Sequence, residues 1–230
     1  MGVAVGSRYT LKADPYSSHS VMLRWLAEGR GRRLLDVGAA DGLLSRHLTE
    51  RGWRVTGLEA DADAAQAGAG HCERMIVADL NQETPEVGGP FDAIVYGDVL
   101  EHLVDPGRVL ATLGRSLRLD GVAVVSVPNV AHLWMRLSLL AGRFDYADRG
   151  ILDRTHLRFF TRRSLRALLH EAGLRVRRET ATPVPLYQVV PARLHAAPLT
   201  AVHAASAAAA RALPRLLGYQ FVVLATRDQR

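Results

Sequence analysis

The stretch Leu34-Leu35-Asp36-Val37-Gly38-Ala39-Ala40-Asp41-Gly42 decides the fold. Arg33 to Val37 reads as a short buried strand, and Gly42 to Arg51 reads as a helix. The glycines between them call for a tight turn, where backbone can come close to a bound ligand. A dinucleotide fingerprint would put glycines at the positions held by Gly38, Ala40 and Leu43, so that pattern fails at two of its three positions. NAD and FAD are disfavoured, and a nucleotide-type ligand without that pyrophosphate cradle remains.

The strand and helix rhythm continues on both sides of this stretch. Strands are expected at Arg54 to Glu59, Arg74 to Val77, Phe91 to Gly97, Val122 to Val127, Leu174 to Thr180 and Tyr219 to Thr226. Helices are expected at His19 to Glu28, Asp61 to Ala69, Pro106 to Leu117, Ala131 to Leu140 and Thr161 to Ala172. In Pro106 to Leu117 the apolar residues Val109, Leu110, Leu113 and Leu117 form one stripe. This alternation predicts a parallel sheet covered on both faces. Two segments interrupt it: residues 129–160, with a charged loop from Arg143 to Arg158, and residues 183–218, punctuated by prolines and carrying an alanine-rich helix near Ala204 to Ala212. The second is expected to be an extra packing layer, the alternative being a peripheral membrane contact or partner-docking element. Residues 1–30 are expected to form an arm or lid.

With 230 residues, 48% of them hydrophobic, the chain can bury one large core, and a single domain over 1–230 is expected. Cys72 is the only cysteine and closes no intrachain disulfide. No signal-peptide pattern opens the chain, and no apolar run reaches about 18 residues. A cytoplasmic protein is expected. The net charge of +6 comes almost wholly from arginine, Lys12 being the only lysine. Such a bias also follows from genome composition, so it does not by itself indicate nucleic acid.

The turn resembles the first motif of class I S-adenosylmethionine-dependent methyltransferases, and matching pieces follow in family order from about Leu34 to Thr226. The resemblance implies a Rossmann-like, doubly wound, seven-stranded and mostly parallel α/β sheet with an antiparallel last strand and helical insertions. Residues 31–128 become the cofactor half, and residues 129–160 and 183–218 would shape the acceptor pocket. S-adenosylmethionine is the implied cofactor, with Asp36, Gly38, Ala39 and Gly42 at the turn. Ala40 departs from the commonest central glycine. Glu59, followed by Ala60, stands where the family accepts from the ribose hydroxyls. Asp79 matches the usual contact to the adenine amino group, Leu80 packs on the ring, and Asp98 closes the cofactor set.

Asp98, Glu101 and His102 leave the fourth strand at its carboxyl end, where open α/β sheets bind ligands. Their spacing lets one turn present two carboxylates and an imidazole toward a common point. Two roles stand open: a histidine acting as general base, or a divalent metal ion held by Asp98, Glu101, His102 and His156. The acid-x-x-Glu-His pattern resembles ubiquinone-pathway O-methyltransferases and small-RNA 3′-terminal 2′-O-methyltransferases, where it contributes metal ligands. His156, in Thr155-His156-Leu157-Arg158-Phe159-Phe160-Thr161, matches the histidine that completes the shell in the latter. Many bacterial sugar- and lipid-pathway methyltransferases carry a similar segment. Pro128-Asn129-Val130-Ala131-His132 resembles the family's acceptor-side loop, which makes Asn129 and His132 substrate candidates; His19 and Tyr16 are candidates for the entrance.

The leading expectation is O-methylation of a small-molecule, sugar or lipid-linked acceptor, because a hydroxyl needs the deprotonation such a site supplies. An RNA 2′-O-methyltransferase is the enzyme alternative, prompted by Arg154, Arg158, Arg162, Arg163 and Arg166, though no aromatic-interleaved basic module supports nucleic acid. A non-catalytic binding protein of the same fold is the third, and it would have no need of Gly38, Gly42, Glu59 and Asp79.

Overall fold

The apolar runs form seven strands: β1 (Arg33–Val37), β2 (Arg54–Glu59), β3 (Arg74–Val77), β4 (Phe91–Gly97), β5 (Leu117–Pro128), β6 (Leu174–Thr182) and β7 (Gln220–Arg227). The computed structural model describes residues 14–228 apart from Ala192, Leu194 and Ala196, so residues 1–13 of the expected arm lie outside the described residues. The strands make one sheet in the order β3-β2-β1-β4-β5-β7-β6. The first five pair in parallel, whereas β7 runs antiparallel to both neighbours. The expected doubly wound architecture is the observed one.

Helices cover both faces: α1 (Ser18–Leu26), α2 (Leu43–Glu50), α3 (Ala62–Gly68), α4 (Pro106–Gly114), α5 (Leu133–Leu140), α6 (Arg162–Glu171), α7 (Leu186–Val189), α8 (Ala197–Ala212) and α9 (Pro214–Leu217). The strand period of two divides the core between the faces. Leu34, Val95 and Val124 pack with α1 and α2 through Met22, Leu26, Leu44 and Leu48. Leu35, Val37, Ile94 and Val125 pack with α4 and α6 through Val109, Leu110, Leu165 and Leu169.

Two boundaries differ from expectation by more than two residues. The fourth helix stops at Gly114, and Leu117 opens β5, pairing with Phe91 beside a bulge. Leu117 is buried, but from the sheet, because its spacing from Leu113 suits a helix stripe equally well. The alanine-rich helix starts at Ala197, seven residues early, with Pro198 in its first turn, where no intrahelical N–H is needed. It buries His203, Ala207 and Ala210 and packs on β6 and α9. Among the described residues, no helix is long and apolar enough to cross a membrane.

Asp36 ties the first strand to the helix beyond the turn. It is fully buried, and Ser45 Oγ on α2 donates to its Oδ2 at 2.7 Å. Burial, only partly opposed by this bond, pushes the carboxyl up to about 6. Between about pH 4 and pH 6 the folded protein therefore holds a proton that the unfolded chain has released, and stability declines as pH rises through that window. Asp36→Asn keeps an acceptor for Ser45 and is expected to flatten this part of the profile. Melting temperatures across pH 4 to 7 for both proteins check it, and identical slopes would place the titration elsewhere.

Candidate functional site

The turn after β1 is built from left-handed backbone: Gly38 at φ 72°, Ala40 at 48° and Gly42 at 76°. A Cβ on Gly38 would come within 2.9 Å of Val99 Cγ2, and one on Gly42 within 2.9 Å of the Gly68 Cα. Conformation and crowding thus both require glycine at these two places. Ala40 is small enough, but its real cost is its φ, about 1–2 kcal/mol for an L-residue. Glu59 at the end of β2 offsets that cost. Its Oε2 accepts from Ala40 N at 2.8 Å, while Oε1 accepts from Ala60 N at 2.8 Å and Asp61 N at 3.0 Å. A carboxylate has about four acceptor positions, so one remains for a ligand hydroxyl. Gly38 N and Ala39 N both donate to Leu58 O, at 2.8 and 3.0 Å.

The other cofactor candidates are more engaged than the sequence implied. Asp36 lies beneath the turn and braces it through Ser45 instead of reaching a ligand. Asp79 accepts from Asn81 N and Gln82 Nε2, and Leu80 is buried in the core against α4. Asp41, within the turn, is a candidate site residue that no motif in the sequence marks. Its Oδ1 is buried without a partner among the described residues. An orphaned acceptor here, beside a carboxylate with spare capacity, fits a ligand that carries hydroxyl and amino donors, as S-adenosylmethionine does.

Beyond β4, Asp98 takes φ 54°, which swings its side chain toward β5 and α1. Oδ1 accepts from Ser126 Oγ at 2.5 Å and Oδ2 from Ser18 Oγ at 3.4 Å. This corrects the expected four-residue metal set: Asp98 stands outside the cluster that the other three form. Glu101, His102 and His156 each offer a ligand atom, all within 4.8 Å of one another. The His102 and His156 rings meet edge to face at 4.8 Å between centroids. His102 Nδ1 donates to Thr155 O at 3.2 Å, and His156 Nδ1 to Ile151 O at 3.0 Å. A carbonyl can only accept, so both protons sit on Nδ1 and both Nε2 lone pairs are available. Glu101 is 1% exposed, and its Oε2 has no partner among the described residues. Burial, followed by the Asp98 charge, holds its carboxyl well above the usual range. Burial also lowers the basicity of His156, which favours the neutral ring. An unpartnered buried carboxyl oxygen beside two oriented imidazoles fits a divalent cation.

The substrate candidates divide. Asn129 is fully buried with both ends of its amide occupied: Nδ2 donates to Gly218 O at 2.7 Å and Oδ1 accepts from Ala131 N at 3.0 Å. It orders the loop after β5 and does not face an acceptor, a correction to its expected role. His132 caps α5 by accepting from Trp134 N and is half-buried near Tyr219. His19 lies near Asp98, whose charge partly opposes the lowering of its basicity by burial. Tyr16 packs its ring on buried His203 of α8, 5.4 Å between centroids, instead of opening onto the cluster. The arginines that prompted an RNA reading are mostly engaged internally. Arg154 pairs with Asp148, Arg158 donates to Val104 O, and Arg162 and Arg166 both hold Glu179.

Comparisons with known proteins bear on the family and the fold. A family model described as a methyltransferase domain matches residues 12–179. A ubiquinone biosynthesis O-methyltransferase of Caulobacter sp. (strain K31) is 30% identical over 147 residues, 59% of this chain and 58% of the relative. The chain thus matches little more than half the length of that relative. An S-adenosylmethionine-dependent methyltransferase structure from Mesorhizobium loti superposes with TM-score 0.61 at 17% identity, covering 92% of this chain and 98% of its own. Magnesium protoporphyrin IX methyltransferase from Synechocystis PCC 6803, with bound SAH, gives 0.61 at 16% identity, covering 92% and 82%. At such identities the two structures establish a shared fold.

The structural role of Asn129 is testable. Asn129→Ala leaves Gly218 O and Ala131 N without their partner, and is expected to cost about 1–3 kcal/mol of stability. A denaturant midpoint equal to that of the parent chain would return Asn129 to the list of acceptor contacts.

Proposed function

Because the chain belongs to the methyltransferase-domain family, we propose that it transfers a methyl group from S-adenosylmethionine to a hydroxyl of a small-molecule acceptor. The observation that carries this reading is the cluster of Glu101, His102 and His156, one turn beyond the strand end that meets the glycine turn. Val99 lies against Gly38, and Glu101 follows Val99 by two residues, which supports the turn and the cluster serving one site.

When bound, S-adenosylmethionine supplies a methyl group activated by its sulfonium. The chain's own residues bind and aim it. Glu59 has acceptor capacity left for the ribose hydroxyls, and Asp41 Oδ1 can take a donor from the methionine end. A hydroxyl acceptor must lose its proton as the methyl arrives, and a neutral histidine Nε2 in the cluster can take it. Glu101, His102 and His156 would also hold a divalent cation, which when bound acidifies a hydroxyl. Thr155 O and Ile151 O hold both rings through Nδ1 and leave both Nε2 atoms available, which serves either version.

The surroundings favour an acceptor with an apolar part, a lipid-linked one included. His156 meets the Phe159 ring, Phe159 meets Phe144, and Phe144 meets Tyr146, forming an aromatic wall that leads away from the cluster. Beside it α5 leaves Trp134 69% and Leu140 85% exposed. The relatives named for ubiquinone biosynthesis support a small-molecule acceptor, and the internal engagement of the arginines weighs against RNA.

Two outcomes are expected. Glu59→Ala should weaken S-adenosylmethionine binding by about 1–3 kcal/mol in calorimetry; unchanged affinity would mean the ribose is held elsewhere. In an assay that follows methyl mass gain in cell extract, His156→Ala should lower activity roughly 100-fold. Chelator treatment with metal add-back separates the two versions: rescue supports the cation, and insensitivity supports histidine alone as base. An undiminished rate in His156→Ala would remove the cluster from the chemistry.

A further inference from the structure

Away from the glycine turn and the histidine cluster, a cavity of about 320 Å³ opens between α1, β6 and α8. Its volume lies at the low end of the roughly 300–1,000 Å³ typical of small-molecule sites. Three arginines line it, one from each element: Arg24, Arg178 and Arg211. Among the described residues, none of the three pairs with a carboxylate. The Arg178 guanidinium carbon lies over the Trp25 ring, 4.8 Å from its centroid, and that of Arg211 over the Tyr16 ring at 5.3 Å. Arg24 donates one Nη to Pro15 O and keeps its other donors.

We propose that this cavity binds a diphosphate group. A cation–π contact consumes no oxygen acceptor, so Trp25 and Tyr16 hold two of the guanidinium groups near the cavity while their N–H donors remain without a hydrogen-bond partner among the described residues. Guanidinium forks match phosphate oxygens in pairs. Glu179 also lines the cavity, but its carboxylate is held by Arg162 and Arg166 on the α6 side, so it does not neutralise the three arginines. A concentration of three positive charges suits a ligand with several negative ones, more than a lone carboxylate would supply. Thr180 on the same wall offers a hydroxyl. The site is distinct from the proposed methyl-transfer crevice yet close to it. Ser18, which bonds Asp98, and Trp25 are seven residues apart on α1, about 10 Å. The binding itself does not depend on methyl transfer.

The test is calorimetric titration of sodium pyrophosphate into the full chain, with tryptophan fluorescence as a second readout, Trp25 being the tryptophan that lines the cavity. Saturable one-site binding is expected, weakened about tenfold or more by Arg178→Gln and by Arg211→Gln singly. Arg163→Gln, on the exposed surface of α6, should bind as the parent chain does. Unchanged circular dichroism and melting temperature establish that the variants fold. Absence of saturable binding, or equal weakening in Arg163→Gln, would overturn the proposal. UDP and geranyl diphosphate then identify the source. Tighter binding of the first than of pyrophosphate assigns a nucleoside diphosphate, tighter binding of the second assigns an isoprenyl diphosphate, and parity of all three assigns the free diphosphate.

Discussion

Parallel strands end with their last backbone groups facing the same way, and something must satisfy those groups before a ligand can be held there. In this chain the end of β2 does it for the turn after β1. Leu58 O takes the amides of Gly38 and Ala39, and the Glu59 carboxylate takes those of Ala40, Ala60 and Asp61. Left-handed backbone at three positions of one short turn would otherwise be poorly supported. One side chain thereby stiffens two neighbouring loops and keeps part of its acceptor capacity for a ligand.

Much of the arrangement follows from that anchorage. With the turn pinned, Val99 has a fixed surface to pack on, and the 3₁₀ turn Leu100–His102 starts from a defined place. Asp98, bent back to Ser126 and Ser18, ties β4 to β5 and α1. Leu157 N and Arg158 N both donate to Glu101 O, which brings the segment after β5 down onto the end of β4. His156 reaches His102 by this route, through backbone hydrogen bonds that no side-chain pattern reports.

The sequence made the sheet legible because strand, turn and helix follow one another with distinct periods, and the glycines mark where they change. The meeting of His102 with His156 was legible too, from the rule that neighbouring strand ends share a crevice. What the sequence does not display depends on backbone angles or distant partners. Nothing local in Gly97-Asp98-Val99 announces the positive φ that turns Asp98 away. The partner of Asn129 is a carbonyl 89 residues further on. Leu117 satisfies a helix stripe and a strand equally, and Pro198 reads as a breaker unless it falls in a first turn, as it does here. The buried pair of Asp14 and His203, 189 residues apart, lies beyond any local reading.

The placement of β7 bears on how the chain is made. β7 lies between β5 and β6 and pairs with both, so the ladder β3-β2-β1-β4-β5 can assemble as those strands emerge, each finding a neighbour already synthesised. β6 appears next and has only β7 to pair with, as does the outer edge of β5. Until α7, α8, α9 and then β7 have followed, two open strand edges wait with unpaired amides and carbonyls. Closure of the sheet is therefore a late, long-range event in synthesis. The nascent chain is most exposed to wrong pairing during that interval.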